Sequence, residues 1–330
     1  MTDLAVLPEI PQLDARIPRW ELGSLSERAC PICRRVWEPV LRRPDGLPLS
    51  YCRDCALWYV CGLPSEAAIH ALYQGYWIDH RPRALDTEGA RAIVEAAGHR
   101  LDVKIQRLTA LMGGLAGRLV LEVGAGRGEF LAALRHAGAQ VVANEISAEV
   151  CAFLEGALHI PVVRGQLADV EWDFAAPDAI VMNDLVEHPI DPFRLLSRAV
   201  RLLKPGGRLV IWTPNGGVAG QGAASGAEWV GFRVDLEHLQ YFSPRTVQVL
   251  AATWGLTIEH LETTGYPGLE DIDRLPWRPS HRAGGGLMRT LKTLVRRTAP
   301  WIGQARQVAR EMRRPRCAGS YHLFAILGKA

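Results

Sequence analysis

Leu119-Val120-Leu121-Glu122-Val123-Gly124-Ala125-Gly126-Arg127-Gly128-Glu129-Phe130 is the stretch on which the reading of this chain turns. Its first five residues, four of them apolar, form the short run expected of a buried strand. Three glycines at alternate positions then allow a tight turn and close approach of a ligand to the backbone. Glu129-Phe130 opens a helical pattern, so free N–H groups at a helix N-terminus would face whatever occupies that turn. Strand, glycine turn and helix together predict a nucleotide-binding unit.

Outward from this unit, the pattern keeps alternating between strand and helix. Strands are predicted at 119–123, 140–144, 162–163, 178–182 and 208–213, with helices at 128–137, 148–158, 192–203 and 243–254. Ser243 caps the last helix and Pro244 takes its first position, a favoured pairing. Residues 256–262 and 321–327 supply two final strands, with an irregular insertion at 265–317 between them. Such alternation implies an α/β fold built on a doubly wound, mostly parallel sheet.

The front of the chain is different. Cys30-Pro31-Ile32-Cys33 and Cys52-Arg53-Asp54-Cys55 are two C-x-x-C knuckles separated by eighteen residues. Tetrahedral zinc takes four thiolates at about 2.3 Å, and each knuckle supplies two from one turn. The spacing therefore predicts a small zinc ribbon over 26–62, with Cys30, Cys33, Cys52 and Cys55 as ligands of a structural Zn2+. Cys61, Cys151 and Cys317 are read as non-ligands. Residues 1–25 are proline-rich and extended. A helical linker and cap spans 63–112, with a short helix at 65–73, the aromatic run Tyr73, Tyr76 and Trp77, and one long helix at 88–112. The remaining 113–330 form the nucleotide-binding domain.

At 330 residues and 48% hydrophobic, the chain has the composition of a soluble globular enzyme. No apolar leader is legible at the start, where Asp3, Pro8, Glu9 and Pro11 interrupt, and no run approaches the roughly 20 apolar residues of a membrane span. A cytoplasmic location is expected, where thiols stay reduced and metal is favoured over disulfide.

Two acids refine the nucleotide site. Glu122, just before the glycines, is placed to meet a positively charged amine, and Glu145, at the end of the next strand, to accept from two ribose hydroxyls. A ligand with both features is S-adenosylmethionine (SAM). The segments LEVGAGRGEF, VVANEIS, DAIVMNDLVEHPIDP, LLKPGGRLVIWTPN and HLQYFSPRTVQVLAATWGL together resemble the class I SAM-dependent methyltransferases in order and spacing across about 118–262. With its cysteine knuckles, the chain is similar to bacterial enzymes that carry an N-terminal zinc ribbon. These include sugar C-methyltransferases and enzymes of polysaccharide and natural-product biosynthesis.

The resemblance implies a Rossmann-like, seven-stranded sheet. It also implies a SAM pocket lined by Glu122, Gly124, Ala125, Gly126, Glu145, Ile146, Gln166, Leu167 and the backbone near Asn183. Gln166 stands where an acid is frequent in the family.

Methyl transfer to oxygen or carbon needs an aligned acceptor and a base, often histidine. His238 lies in Glu237-His238-Leu239-Gln240-Tyr241-Phe242-Ser243, similar to a segment whose histidine is a proposed base in the zinc-ribbon sugar C-methyltransferases. Glu237 and Tyr241 join it as candidate catalytic residues, and Asp235 stands where that family can have tyrosine. His188 follows Asn183-Asp184-Leu185-Val186-Glu187 at the C-terminal edge of a strand, where α/β ligands sit. A similar acid-x-x-Glu-His stretch binds a divalent ion in ubiquinone-pathway O-methyltransferases, which makes Mg2+ the alternative there. Many SAM enzymes carry Glu-His at this point without metal.

Between Trp277 and Arg316 the chain holds eleven Lys and Arg against one acid, Glu311, a local charge of about +10 within a total of +3. Apolar residues recur among these arginines, as on amphipathic helices broken at Pro300. The segment reads as a solvated lid, a grip on phosphates, or a contact with an anionic membrane surface. No interleaved aromatics support nucleic-acid binding. The expected function is SAM-dependent methyl transfer to a small-molecule or glycan acceptor, such as a nucleotide-sugar, polysaccharide or natural-product intermediate. An RNA methyltransferase and a non-catalytic SAM-binding scaffold subunit are the competing readings.

Overall fold

The computed structural model describes residues 7, 9–10, 18–79, 85–99, 102–219, 229–264 and 321–330, with backbone alone for 74–79 and 230. The basic insertion at 265–317, Cys317, the side chains of Tyr76 and Trp77, and most of the leading extended segment lie outside the described residues.

In chain order the strands are β1 (Ser26–Glu27), β2 (Pro39–Arg42), β3 (Pro48–Cys52), β4 (Leu57–Val60), β5 (Gly62–Leu63), β6 (Leu119–Val123), β7 (Gln140–Glu145), β8 (Val162–Arg164), β9 (Ala179–Asn183), β10 (Arg208–Pro214), β11 (Gln240–Tyr241), β12 (Thr257–Thr264) and β13 (His322–Gly328). The helices are α1 (Glu66–Asp79), α2 (Thr87–Ala97), α3 (Val103–Met112), α4 (Glu129–His136), α5 (Ala148–Gly156), α6 (Pro192–Leu202) and α7 (Pro244–Trp254).

The central sheet has seven strands in the order β12-β13-β10-β9-β6-β7-β8. Six run in one direction, and β13 alone lies antiparallel, between β10 and β12. Strand alternation divides the core between two faces. Val120, Val181 and Val210 pack under α2 to α5, whereas Leu121, Met182 and Ile211 pack under α6 and α7. Each such aliphatic side chain contributes roughly 1.5–3 kcal/mol on burial. Both faces are covered, so the inner strands read as continuous apolar runs.

One predicted helix is in fact two. The period across 88–112 suggested a single helix, but α2 ends at Gly98 and α3 begins again at Asp102, whose carboxylate accepts from Lys104 N. A side-chain acceptor at the N-cap competes with helix continuation, and the periodicity alone does not register it. Helix α1 runs to Asp79, beyond the 65–73 expected.

The front of the chain forms a second sheet of four strands, β11-β4-β3-β2. Among these, β4 carries a local strand signal in its uninterrupted apolar run Leu57-Trp58-Tyr59-Val60. β2 and β3 each begin with a proline, a residue compatible with the first position of a strand. The fourth strand comes from far along the chain: Gln240 pairs with Tyr59 and Tyr241 with Trp58. The cysteine sheet is thus completed by the segment that carries His238. Among the described residues no helix is long and apolar enough to cross a membrane.

Candidate methyl-transfer site

The glycine turn leaves β6 in a left-handed conformation, with φ of +70° at Gly124, +50° at Gly126 and +78° at Gly128. At Gly124 the need for glycine is double, because a Cβ there would lie 2.8 Å from Leu185 Cδ1. Gly124 N and Ala125 N both donate to Asn144 O, tying the turn to the end of β7. The buried Glu122 carboxylate accepts from Asn183 Nδ2 at 2.8 Å, across two adjacent strand ends. Asn183 Oδ1 is buried with no hydrogen bond among the described residues.

Glu145 closes β7. One carboxylate oxygen accepts from Gly126 N, and the other from Ile146 N and Ser147 N. Ile146 is 52% exposed, an apolar side chain without cover at the rim. Gly165 N donates to Glu145 O, which brings Gln166 (exposed) and Leu167 (buried) beside the same strand end. All the residues expected in the cofactor pocket therefore gather at the C-terminal ends of β6, β7, β8 and β9.

These residues suit SAM on observations of this structure. The turn bears no side chain where Gly124 and Gly126 approach, Asn183 offers a buried acceptor that lacks a donor, and Ile146 leaves an apolar shelf open. Carboxylates have room for further hydrogen bonds beyond those Glu122 and Glu145 already accept.

A second group lies beyond β9. Glu187 is fully buried and accepts from Thr213 Oγ1 at 2.9 Å through one oxygen. Its other oxygen is 4.0 Å from His238 Nε2. Burial, with Asp184 close by, pushes the Glu187 carboxyl well above the usual range. The His188 and His238 rings meet edge to face, with centroids 4.7 Å apart. Tyr73 Oη is 2.8 Å from His188 Nδ1 and 3.2 Å from the Glu237 carbonyl. His238 is 6% exposed, while His188 is more accessible.

Tyr241, expected among the catalytic residues, sets its ring edge-on to His238 with centroids 6.0 Å apart. It is fully buried, and its hydroxyl accepts from Arg43 rather than reaching the histidines' open side. Glu187, His188 and His238 each offer a ligand atom, all within 4.8 Å of one another. Tyr73 engages His188 Nδ1 and Thr213 engages one Glu187 oxygen, which fixes how the two side chains are oriented.

Residues 95–261 match the family model described as a methyltransferase domain. The chain belongs to this family. Among curated relatives, the ubiquinone biosynthesis O-methyltransferase of Xylella fastidiosa is 31% identical over 167 residues, covering 48% of this chain and 63% of that protein. The corresponding enzyme of Xanthomonas oryzae is 37% identical over 123 residues, covering 35% and 49%. The chain thus spans less than two thirds of these relatives' own length. Among solved structures, a SAM-dependent methyltransferase from Archaeoglobus fulgidus is 20% identical with a TM-score of 0.45, covering 68% of this chain and 92% of that one.

The methyltransferase domain is held to the cysteine knuckles by direct bonds. Cys30, Cys33, Cys52 and Cys55 bring their sulfurs within 4.8 Å of one another, with Cys33 Sγ and Cys52 Sγ 3.5 Å apart, and all four are free thiols. Each knuckle closes on a residue of positive φ, Arg34 at +64° and Ala56 at +51°, so the two turns are built alike. Hydrogen bonding among the sulfurs holds the Cys52 thiol down and pushes Cys30 and Cys55 up, the charge crowding that a bound cation relieves. Four sulfurs converging with no disulfide fit tetrahedral zinc. Thr246 Oγ1, in the first turn of α7, donates to Cys55 O at 2.9 Å.

Two arginines of the front segment reach the histidine loops, and neither stood out in the sequence. Arg28 donates to Ile190 O, Leu239 O and Gln240 Oε1, spanning the segments that follow His188 and His238. Arg43 stands just before Pro44-Asp45-Gly46, a run of turn-forming residues, and is nonetheless fully buried. No local signal marks this reach, because their partners in the histidine loops are more than 160 residues away.

Proposed function

We propose that this chain transfers the methyl group of SAM to a small-molecule acceptor whose attacking atom carries a removable proton. The observation that carries the reading is the side-chain-free turn at Gly124 and Gly126, flanked by Glu122 and Glu145, with two histidines just beyond the neighbouring strand end.

When bound, SAM supplies an electrophilic methyl group on a sulfonium centre. Glu122, oriented by Asn183, would hold the methionyl amine. Glu145 would take the ribose hydroxyls, and Ile146, Gln166 and Leu167 would border the adenine. His188 and His238, with the Glu237 carbonyl behind them, would orient the acceptor and take its proton. Tyr241 would act beneath them as a positioning residue through Arg43. Zinc on Cys30, Cys33, Cys52 and Cys55 would be structural, since four thiolates leave no open position.

The relatives named for ubiquinone biosynthesis support a small-molecule acceptor. Within that class a sugar or natural-product intermediate is our reading, on the resemblance that the cysteine knuckles carry.

Calorimetric titration of SAM and S-adenosylhomocysteine into the purified chain, with metal content measured on the same sample, tests the proposal. Micromolar binding and one zinc per chain are expected. Absence of binding in folded protein would overturn it. A binding-competent protein then goes to a screen of nucleotide-sugars, phenols and RNA, where methylation of RNA alone would overturn the acceptor class.

A further inference from the structure

The turn that carries His188 offers four main-chain carbonyls to the segment that follows His238 and to Arg28. Glu187 O accepts from Leu239 N at 2.8 Å and from Gln240 N at 3.3 Å. Val186 O and Pro189 O, one on each side of His188, accept from Gln240 Nε2 at 2.8 and 2.9 Å. Ile190 O accepts from Arg28 Nη2 at 2.5 Å, and the same nitrogen donates to Gln240 Oε1 at 2.7 Å. The Gln240 amide can face only one way. A flip would set its oxygen against two carbonyls and its hydrogens against a guanidinium.

Arg28 grips the same strand from its other side. Its Nη1 reaches Leu239 O at 3.2 Å and Val60 O, at the end of β4, at 3.4 Å. The arginine is itself fixed within the cysteine segment: Arg28 N donates to Cys61 O at 2.8 Å, and Cys30 follows two residues on. A planar guanidinium can serve several acceptors from separate segments at once, which the point charge of a lysine cannot. No surface of Gln240 is open to solvent, so a bond lost here is not replaced by water.

We infer that Arg28 and Gln240 are positioning residues for the proposed methyl transfer, bracing the two histidine turns against each other and so setting the separation of His188 and His238. This rests on the methyl-transfer reading and deepens it, adding to the base site two residues whose side-chain bonds go to main-chain carbonyls and to each other. The rings they space meet edge to face, with centroids 4.7 Å apart. Such spacing matters because a misplacement of about 1 Å at a reacting centre can cost roughly 100-fold in rate. Through Arg28 the cysteine segment reaches the base site directly, as well as holding its own fold.

The test uses the full-length, zinc-loaded chain, deuterated except at its histidine rings. A nuclear Overhauser cross-peak between the His188 and His238 rings is expected in the wild type. Its loss in His188→Gln and in His238→Gln assigns it. Arg28→Met removes the fork, and Gln240→Glu turns two donors into acceptors facing Val186 O and Pro189 O. In both, the cross-peak should fall severalfold while zinc stays at one per chain. SAM affinity should stay within about threefold, because neither residue bonds to the glycine turn.

An unchanged cross-peak in both folded variants would overturn the inference, as would its absence from the wild type. So would a loss of SAM binding or zinc in step with the cross-peak, which is what general support of the fold would give. If neither variant folds, exchange of the Gln240 side-chain amide hydrogens in the wild type decides. Strong protection is expected, and exchange as fast as in an exposed glutamine would overturn the brace. SAM titrated into the wild type separates the two failures. Loss of binding removes the methyl-transfer reading, whereas normal binding with a cross-peak unmoved by either variant removes only the brace.

Discussion

Arg43 donates to the main-chain carbonyl of His238 across 195 residues of sequence, from a guanidinium that solvent does not reach. Its five donors are all used. Nε and Nη2 take both oxygens of Asp45, Nη1 also takes Tyr241 Oη, and Nη2 also takes Leu236 O. Asp45 in turn accepts from Trp20 Nε1. A planar five-donor fork suits this geometry, and a lysine has too few donors to replace it.

Arg43→Met leaves the Asp45 carboxylate buried without its cation, so a loss of about 3–5 kcal/mol is expected in urea unfolding. Arg43→Met combined with Asp45→Leu should cost much less than the single change, because no uncompensated charge remains. Equal losses in the two variants would show that Asp45 gains water or another partner.

Cys52→Ser should empty the knuckle site, with bound zinc falling from one per chain toward none. Because β3 and β4 share a sheet with β11, the melting temperature should fall, and amide exchange at Gln240 and Tyr241 should quicken. Unchanged metal content would remove Cys52 as a ligand.

Glu145 holds three backbone N–H groups, one from the glycine turn at Gly126 and two from Ile146 and Ser147 just after β7. Glu145→Ala strands these donors, and about 1–3 kcal/mol of stability should go with them. SAM affinity should weaken at least tenfold, read by calorimetry. Glu145→Gln should keep more of the fold than of the affinity, since it retains one acceptor but not the charge. Gly124→Ala should also weaken binding, from backbone strain of about 1–2 kcal/mol and the contact with Leu185.

Burial, with Lys104 and then His238 nearby, holds the His322 imidazole down at about 3 from the usual 6.5. Between those values the unfolded chain binds a proton that the folded chain refuses, so stability falls as pH falls. The slope from this group is at most about 1.4 kcal/mol per pH unit. His322→Phe keeps a ring against Trp212, whose indole stacks on His322 with centroids 4.8 Å apart. Denaturant unfolding at pH 6.5 and 5 should show a shallower acid limb in the variant. The same slope in both proteins would mean that His322 already carries its proton in the fold.

Much of the central sheet was legible because its signals are local. Buried strands such as 119–123 and 208–213 are short apolar runs between turn residues, and the Ser243-Pro244 start of α7 carries its own cap. The placement of Glu122 and Glu145 beside the glycine turn was legible for the same reason, since both stand at fixed places relative to it. β2 and β3 were not legible, because their prolines and the neighbouring Asp45-Gly46 gave stronger turn signals than their few apolar residues gave strand signals. The break at Gly98 was hidden by an apolar period that continues in phase through it.

The sequence by itself determined the strand–glycine–helix unit, the two acids that frame it and the four-cysteine spacing, because each depends on residues close together in the chain. Only the tertiary structure decided that β11 closes the cysteine sheet, that Arg28 and Arg43 grip the histidine loops, and that Tyr73 meets His188. Those contacts join residues 115 to 212 positions apart. Hydrogen bonds of that span leave no periodic trace, and burial strengthens them only after the fold has excluded water.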